Sequence, residues 1–244
     1  VGLANFKRLF DRTLWMLPGQ FGWSLRLTVV FVAASVVGQA GLGLAIAWVF
    51  HRRRGWLRET VFTLVILAWI VPDVVVAVAW TAFYNPGSGT LSAITGLLHL
   101  PATDWLVQRP LLAVTVFNVW RGTAFSLLLF SGALASLPGS YLEAASVIGA
   151  SGWQAFRDVV LPQIRTHILS CLLLITLSTF NTFTPFLLTG GGPAFQSDTV
   201  PIYVYRTAFQ FFDLGAGASV AVIMICFNLV IALFYLAVLR SRPR

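Results

Sequence analysis

The chain has 244 residues, 58% of them hydrophobic and only 10% charged, with a formal net charge of +8. Ordinary globular domains carry about 25% charged residues, so a soluble fold has too little polar surface to cover this much hydrocarbon, and the bilayer must be the solvent. The positive charge does not point to nucleic acid, because the basic residues gather at the ends of apolar stretches.

The first 23 residues hold Lys7, Arg8, Asp11 and Arg12 and no long apolar run, which argues against a secretory signal. Five later stretches are long enough to cross a bilayer: Leu25–Val49, Thr60–Phe83, Leu111–Leu134, Thr166–Leu188 and Gly215–Leu239. In lipid every backbone polar group must bond internally, so spans are helices or strands of a closed barrel. These runs do not alternate as barrel strands do. The expected fold class is all-α, a polytopic membrane bundle forming a single domain over residues 1–244.

In the first span Ala34, Gly38, Gly41 and Ala45 recur at helical spacing, which predicts a close helix approach along that stripe. The loop after it holds Arg52, Arg53, Arg54 and Arg58; the loop after the third span holds Arg157 and Arg165; the tail holds Arg240, Arg242 and Arg244. The loops after the second and fourth spans have only Arg109 and Arg206. The excess of arginine places the first group of loops and the C-terminus in the cytoplasm. Five crossings then leave Lys7, Arg8 and Arg12 outside, against the same rule. A further span ahead of Val1 would remove the conflict, so six spans are expected.

Within the spans, Asp73 follows Pro72 in the second, and Arg121 lies beside Asn118 and Trp120 in the third. Both fall near mid-membrane in antiparallel spans. Intramembrane charges face the bundle interior, so the two are expected either as a structural ion pair or as cavity-facing charges. The fourth span ends with Asn181, Thr182 and Thr184 among phenylalanines. Hydroxyls and an amide beside rings suit a sugar, and they equally suit hydrogen bonding between helices. Thr189-Gly190-Gly191-Gly192-Pro193 follows and reads as a helix stop.

The interval 140–162 is polar for this chain. Ser140 with Glu143 fits a capping box, Gly149 breaks the helix, and Ser151 can cap a second helix with Trp153, Phe156 and Val160 on one stripe. Leu161-Pro162 is expected to end that helix. On pattern alone this is a docking surface or an interfacial amphipathic hairpin.

Several chemistries are absent. The single lysine, Lys7, excludes a phosphate loop, so ATP would be bound by another chain. Cys171 and Cys226 lie inside apolar spans, and His51, His99 and His167 show no ligand spacing. No metal or other cofactor is expected, and no nucleophile–base motif marks an enzyme. A secondary transporter or channel would call for internal repeats and paired intramembrane acids, and neither is visible.

The stretch Glu143-Ala144-Ala145, Gly149, Leu161-Pro162 resembles, in identity and spacing, the E-A-A loop of permease subunits of binding-protein-dependent ABC importers. Val159 stands where isoleucine is usual, and Ile148 where the sugar branch often has aspartate. Leu188-Thr189-Gly190-Gly191-Gly192-Pro193 and Gly2-Leu3-Ala4-Asn5-Phe6 resemble segments of the maltose-type carbohydrate branch. The resemblance implies a type I importer permease in a bacterial or archaeal inner membrane, moving a sugar or glycerol-phosphate-like solute. It implies an ATPase dimer, a second homologous permease and an extracytoplasmic solute-binding protein as partners. Glu143, Ala144, Ala145, Gly149, Leu161 and Pro162 would form the ATPase-coupling element. Asp73, Asn118, Arg121, Asn181, Thr182 and Thr184 are the candidates for the substrate pathway.

Overall fold

A computed structural model describes residues 3–11, 15–53, 55–101 and 103–240. Gly2, Arg12, Arg54, Arg242 and Arg244, which enter the readings above, lie outside the described residues. Among the described residues the fold is helical, without strands.

The elements are α1 (Ala4–Leu9), α2 (Phe21–His51), α3 (Trp56–Ile70), α4 (Asp73–Tyr84), α5 (Thr90–Leu97), α6 (Trp105–Gln108) and α7 (Pro110–Ala135). They continue as α8 (Gly139–Val147), α9 (Gly152–Gln154), α10 (Leu161–Phe180), α11 (Pro185–Thr189), α12 (Val200–Tyr205) and α13 (Leu214–Arg240). Among the described residues four runs are long and apolar enough to cross a membrane: Phe21–His51, Pro110–Ala135, Gly152–Thr189 and Leu214–Arg240.

The second expected span, Thr60–Phe83, is not one straight helix. It is α3 and α4, bent by 105° between Ile70 and Asp73. Pro72 has no N–H to give the α3 ladder, and its ring drives Val71 out of the helical region, to φ −61° and ψ 133°. Counting the bent pair as one crossing gives up to five spans.

α2 packs chiefly on α7, then on α10. The expected Ala34–Gly38–Gly41–Ala45 stripe is not the contact face: Ala34, Gly41 and Ala45 are exposed, and open space surrounds Gly41. The buried seam is Phe31, Ser35, Gln39, Gly43 and Ala47, every fourth residue, with Gly38 at its border against Val119. A Cβ on Gly43 would stand 2.5 Å from Ser126 Cβ and 2.8 Å from the Leu127 nitrogen. Small residues stand on both faces of this helix, Ser35, Gly43 and Ala47 on the buried one and Ala34, Gly41 and Ala45 on the exposed one. Position in the bundle decides which one packs.

The buried apolar side chains among the described residues fall into three clusters. One joins Leu127, Phe130 and Leu134 of α7 to Leu142, Phe156, Val160 and Ile164. A second lies around Phe31, Val76, Tyr84, Val114 and Phe117. The third ties Leu9 and Phe21 to Val200, Tyr203 and Val220. α13 contributes little to these, and its outer face (Ile225, Leu229, Leu233) is exposed.

Candidate functional site

Two regions carry the chemistry: an elbow between α8 and α10, and a polar cluster around Arg121 of α7.

The elbow begins at α8. Pro138 is its N-cap, with no side-chain hydrogen bond, so the capping box expected at Ser140 and Glu143 does not form. The extended Pro138 starts the helix at Gly139, which puts Ser140 inside the first turn. The helix stops at Gly149, which takes φ +75°, a left-handed conformation favoured by glycine. The Ala150 and Gly149 N–H groups donate back to the Ala145 and Ser146 carbonyls, satisfying the last turn. Ser151 then caps the next helix in a reciprocal box with Gln154: the Gln154 N–H donates to Ser151 Oγ at 3.3 Å, and the Ser151 N–H to Gln154 Oε1 at 2.8 Å.

Leu161-Pro162 does not end that helix. Residues Ala155–Val160 form a wide π turn, and α10 follows without a break. Widening the turn ahead of Pro162 accommodates its missing N–H and the bulk of its ring. Glu143 and Ala144 are exposed, while Ala145 packs into this chain's own core with Leu142. Leu161 is half-buried and Pro162 exposed. Val147, Ile148 and Trp153 are also exposed. These exposed apolar side chains and the Glu143 carboxylate are carried on two helices joined by a hydrogen-bonded turn.

The polar cluster is centred on Arg121. Its Nη2 is ion-paired with Asp73 Oδ1 and also donates to the Val71 carbonyl at 3.3 Å. Its Nη1 donates to the carbonyls of Val71 at 3.3 Å and Ala68 at 3.4 Å. These lie at the C-terminal end of α3, where Pro72 interrupts the ladder. One guanidinium from α7 therefore caps the broken span and pairs with the first residue of α4. Asp73 Oδ2 accepts from Thr184 Oγ1 at 3.2 Å, and Thr182 Oγ1 donates to Thr184 Oγ1 at 3.3 Å. Thr184 thus links the pair to the connection between α10 and α11.

Asn118, Arg121, Thr182 and Thr184 line one cavity of about 80 Å³ with Gln39, Ser178 and Thr179. Gln39 Nε2 donates to Thr179 Oγ1 at 2.5 Å. Gly122 leaves room for the Gln39 amide, which a side chain there would displace. Among the described residues the buried amide nitrogen of Asn118 has no partner. Asn181 is not part of this group. It exchanges two hydrogen bonds with Asn228 of α13, at 2.8 and 3.1 Å, on an exposed face. Gln39 was not a sequence candidate. Its signal was the one amide side chain in the first expected span, Leu25–Val49. A larger groove of about 560 Å³ opens where the second span bends, but its walls are largely Leu, Val and Trp carbon. Its Thr115 and Thr123 hydroxyls bond to carbonyls of their own helix.

The glycine run is more than a helix stop. Gly190 does end α11 at φ +60°, and Gly191 and Gly192 are also left-handed. The turn they make lays residues 194–199 onto the start of α2. Trp23 Nε1 donates to the Phe195 carbonyl at 2.9 Å, and Ser24 Oγ donates to Asp198 Oδ2 at 2.8 Å. Arg206 Nη2 meets Asp198 Oδ2 at 2.7 Å and donates to the Gly19 carbonyl at 2.9 Å. Its guanidinium lies 4.1 Å from the Phe195 ring centre. Both charges are buried.

Burial pushes the Asp198 carboxyl up to about 6, against the opposing pull of Arg206 and the Ser24 hydroxyl. A carboxyl raised on folding stabilises the fold fully below its unfolded value, about pH 4, and that contribution is lost as pH rises through the folded value. The melting temperature of the detergent-solubilised protein should therefore be lower at pH 7.5 than at pH 5, and Asp198→Asn should flatten the difference. Scanning fluorimetry checks both; an unchanged slope in the variant would sink the assignment.

Residues 39–242 match the family described as the binding-protein-dependent transport system inner membrane component. The inner membrane ABC transporter permease protein YcjO of Escherichia coli (strain K12) is 34% identical over 230 residues, covering 92% of this chain and 74% of that protein. The trehalose transport system permease protein SugA of Mycobacterium tuberculosis (strain ATCC 25618 / H37Rv) is 33% identical over 242 residues, covering 97% and 74%. The sn-glycerol-3-phosphate transport system permease protein UgpA of Agrobacterium fabrum is 30% identical over 250 residues, covering 99% and 81%. Among solved structures, a bacterial ABC transporter involved in import of the acidic polysaccharide alginate has a chain that superposes with a TM-score of 0.86 at 21% identity. That match covers 100% of this chain and 85% of the other. The fold is thus that of a type I ABC importer permease, and the relatives are transport components rather than enzymes. The chain belongs to the family of inner-membrane permease components of binding-protein-dependent ABC transport systems.

Proposed function

We propose that this permease passes a carbohydrate-type solute from an extracytoplasmic binding protein across the inner membrane by ATP-driven alternating access. The observation that carries the reading is the elbow: Glu143, Ala144, Val147 and Ile148 form an exposed face, held at a fixed angle by left-handed Gly149. An ATPase cleft seated on that face can push the bundle as a rigid body, because Leu142 and Ala145 anchor α8 to the same core as α7 and α10. ATP comes from a separate ATPase dimer, and a second homologous permease completes the pathway. The elbow and the C-terminus face the cytoplasm, in keeping with the arginine-rich loops beside them. The solute class is supported by the substrates named for the relatives, trehalose and sn-glycerol-3-phosphate, and by the hydroxyls and amides that line the cavity with Arg121.

The test is solute uptake by proteoliposomes holding this chain, its partner permease, the ATPases and the binding protein. Gly149→Val forces a branched residue into a left-handed turn, at about 1–2 kcal/mol, and swings the face away from its partner. Together with Glu143→Lys it should lower ATP-dependent uptake by at least about tenfold while the ATPase subunits alone keep their basal hydrolysis. Uptake by this chain without an ATPase would overturn the reading.

A further inference from the structure

We propose that the cleft between α2 and α3 holds an anionic phospholipid, with its phosphate in a basic cavity at the His51 end and an acyl chain in the apolar groove beside the bend. The leaflet, the cytoplasmic one, follows from the orientation argued above. The lipid chemistry stands on the cleft alone.

α2 and α3 both pack on α7 and leave a cleft between them. Two cavities lie along it. At the His51 end, His51, Arg58, Phe62 and Ser131 line a space of about 160 Å³. Arg58 is half-buried, with its guanidinium 4.6 Å from the Phe62 ring centre. Arg52 and Arg53 follow His51 and are exposed. No ion pair among the described residues involves these three arginines, and none joins them to Glu59, the nearest acid in sequence. The Ser131 hydroxyl is buried with no partner among the described residues. Guanidinium groups without a countercharge, beside an unsatisfied hydroxyl, suit a phosphodiester, whose oxygens accept charge-assisted hydrogen bonds. At about 30 Å³ per water the cavity has room for about five, the size of a phosphate group.

The second cavity is the groove of about 560 Å³, and it continues the same helix faces. Phe50 in the wall of the basic cavity leads along α2 to Ile46 and Leu42 in the wall of the groove, one helical turn at a time. Arg58 and Phe62 lead along α3 to Val65 and Ala68 in the same way. From Arg58 to Ala68 a helix rises about 15 Å, half of the roughly 30 Å hydrocarbon core. A lipid with its phosphate at Arg58 thus lays its tail in the groove, one leaflet deep. Leu42, Leu64, Val116 and Trp120 are exposed along the groove and leave it open to a chain entering from the side. Trp56, 75% exposed at the start of α3, fits the headgroup level, where indole rings settle. A free anion uses only the first cavity, whereas an anionic lipid uses both. Basic pockets between spans on the cytoplasmic side recognise lipid phosphates in this way.

The whole transporter in mixed micelles is titrated with dioleoylphosphatidylglycerol, dioleoylphosphatidylcholine or inorganic phosphate. Retained lipid is read by mass spectrometry and protection by melting temperature. Wild type should hold the phosphatidylglycerol about tenfold more tightly than the phosphatidylcholine and gain nothing from phosphate at matched ionic strength. Arg58→Gln should cut that preference about fivefold, and Arg58→Lys should keep most of it, which separates lost charge from lost folding. Arg240→Gln, a basic residue outside the cleft, should leave the preference unchanged. Val116→Trp fills the groove and should release both lipids while sparing the melting temperature measured without added lipid. An equal hold on the two lipids overturns the proposal, as does protection by inorganic phosphate that matches the lipid's. So does an Arg240→Gln effect as large as that of Arg58→Gln, or phosphatidylglycerol still retained by Val116→Trp. Neither lipid bound by wild type, the result expected where another protein span fills the groove, overturns it too. These readings do not depend on which solute is carried, so they stand apart from the uptake test.

Discussion

Gly43→Leu should destabilise the bundle by about 3 kcal/mol or more, while Gly41→Leu, two residues away, should leave it unchanged. The difference follows from what each new Cβ meets. At Gly43 it would press on the Ser126 Cβ at 2.5 Å and on backbone atoms of α7 at 2.8 Å. Backbone cannot swing aside as a side-chain tip can, so α2 and α7 must separate. That contact is the most extensive in the fold, and the seam around it holds Ser35, Gln39 and Ala47. Separation would also pull Gln39 from Thr179, so solute transport should fall together with stability. At Gly41 an added Cβ would meet no atom of another element within 4 Å among the described residues. Equilibrium unfolding of the purified protein in mixed micelles measures both variants. Equal losses at the two positions would place the helix contact on the wrong face of α2.

Arg206→Ala should cost about 3–5 kcal/mol, because it leaves the Asp198 carboxylate buried without its countercharge. The same change removes the guanidinium from the Phe195 ring and from the Gly19 carbonyl. Ala194 and Phe195 sit at φ +48° and +60°, conformations that side chains rarely adopt, and the Arg206 contacts help to hold them there. The deficit should shrink at pH 5, where protonation of Asp198 relieves the unpaired charge. Replacing Asp198 and Arg206 together by leucine should cost less than Arg206→Ala alone, since no charge is then stranded. Melting temperatures of the three proteins at two pH values separate these outcomes. A single variant with wild-type stability would show that the pair contributes nothing net.

Neither of these sites could be located from residue types. Arg206 reads in sequence as a lone basic residue in a loop, and its partner Asp198 is one of several polar residues after the glycine run. What joins them to Ser24 and Gly19 is the turn through Gly190, Gly191 and Gly192, which returns the chain to the start of α2. The Ala34–Gly41–Ala45 stripe failed for a related reason. An apolar helix in lipid has small residues on more than one face, and hydrophobicity cannot say which face has a neighbour. The pairing of Asp73 with Arg121 was more accessible, because two charges at similar depth in neighbouring antiparallel spans have few other ways to be satisfied. Asn181 looked equivalent to Thr182 and Thr184, yet its place at the end of α10 turns it to α13 instead.

Composition alone required a membrane, and the absence of alternation required helices, because hydrocarbon offers no partner to a free backbone group. The left-handed glycine at position 149 and the reciprocal cap at Ser151 were equally local, so the elbow was legible before any packing was known. Tertiary structure decided the rest. Pro162 continues a helix that proline would ordinarily end, since a wide π turn absorbs it. Pro72, by contrast, breaks its span through 105°, and the freed carbonyls are met by a guanidinium from another helix. A proline's local cost is the same in both places. Whether it bends the chain depends on which partners stand ready for the lost hydrogen bond, and those come from residues distant in sequence.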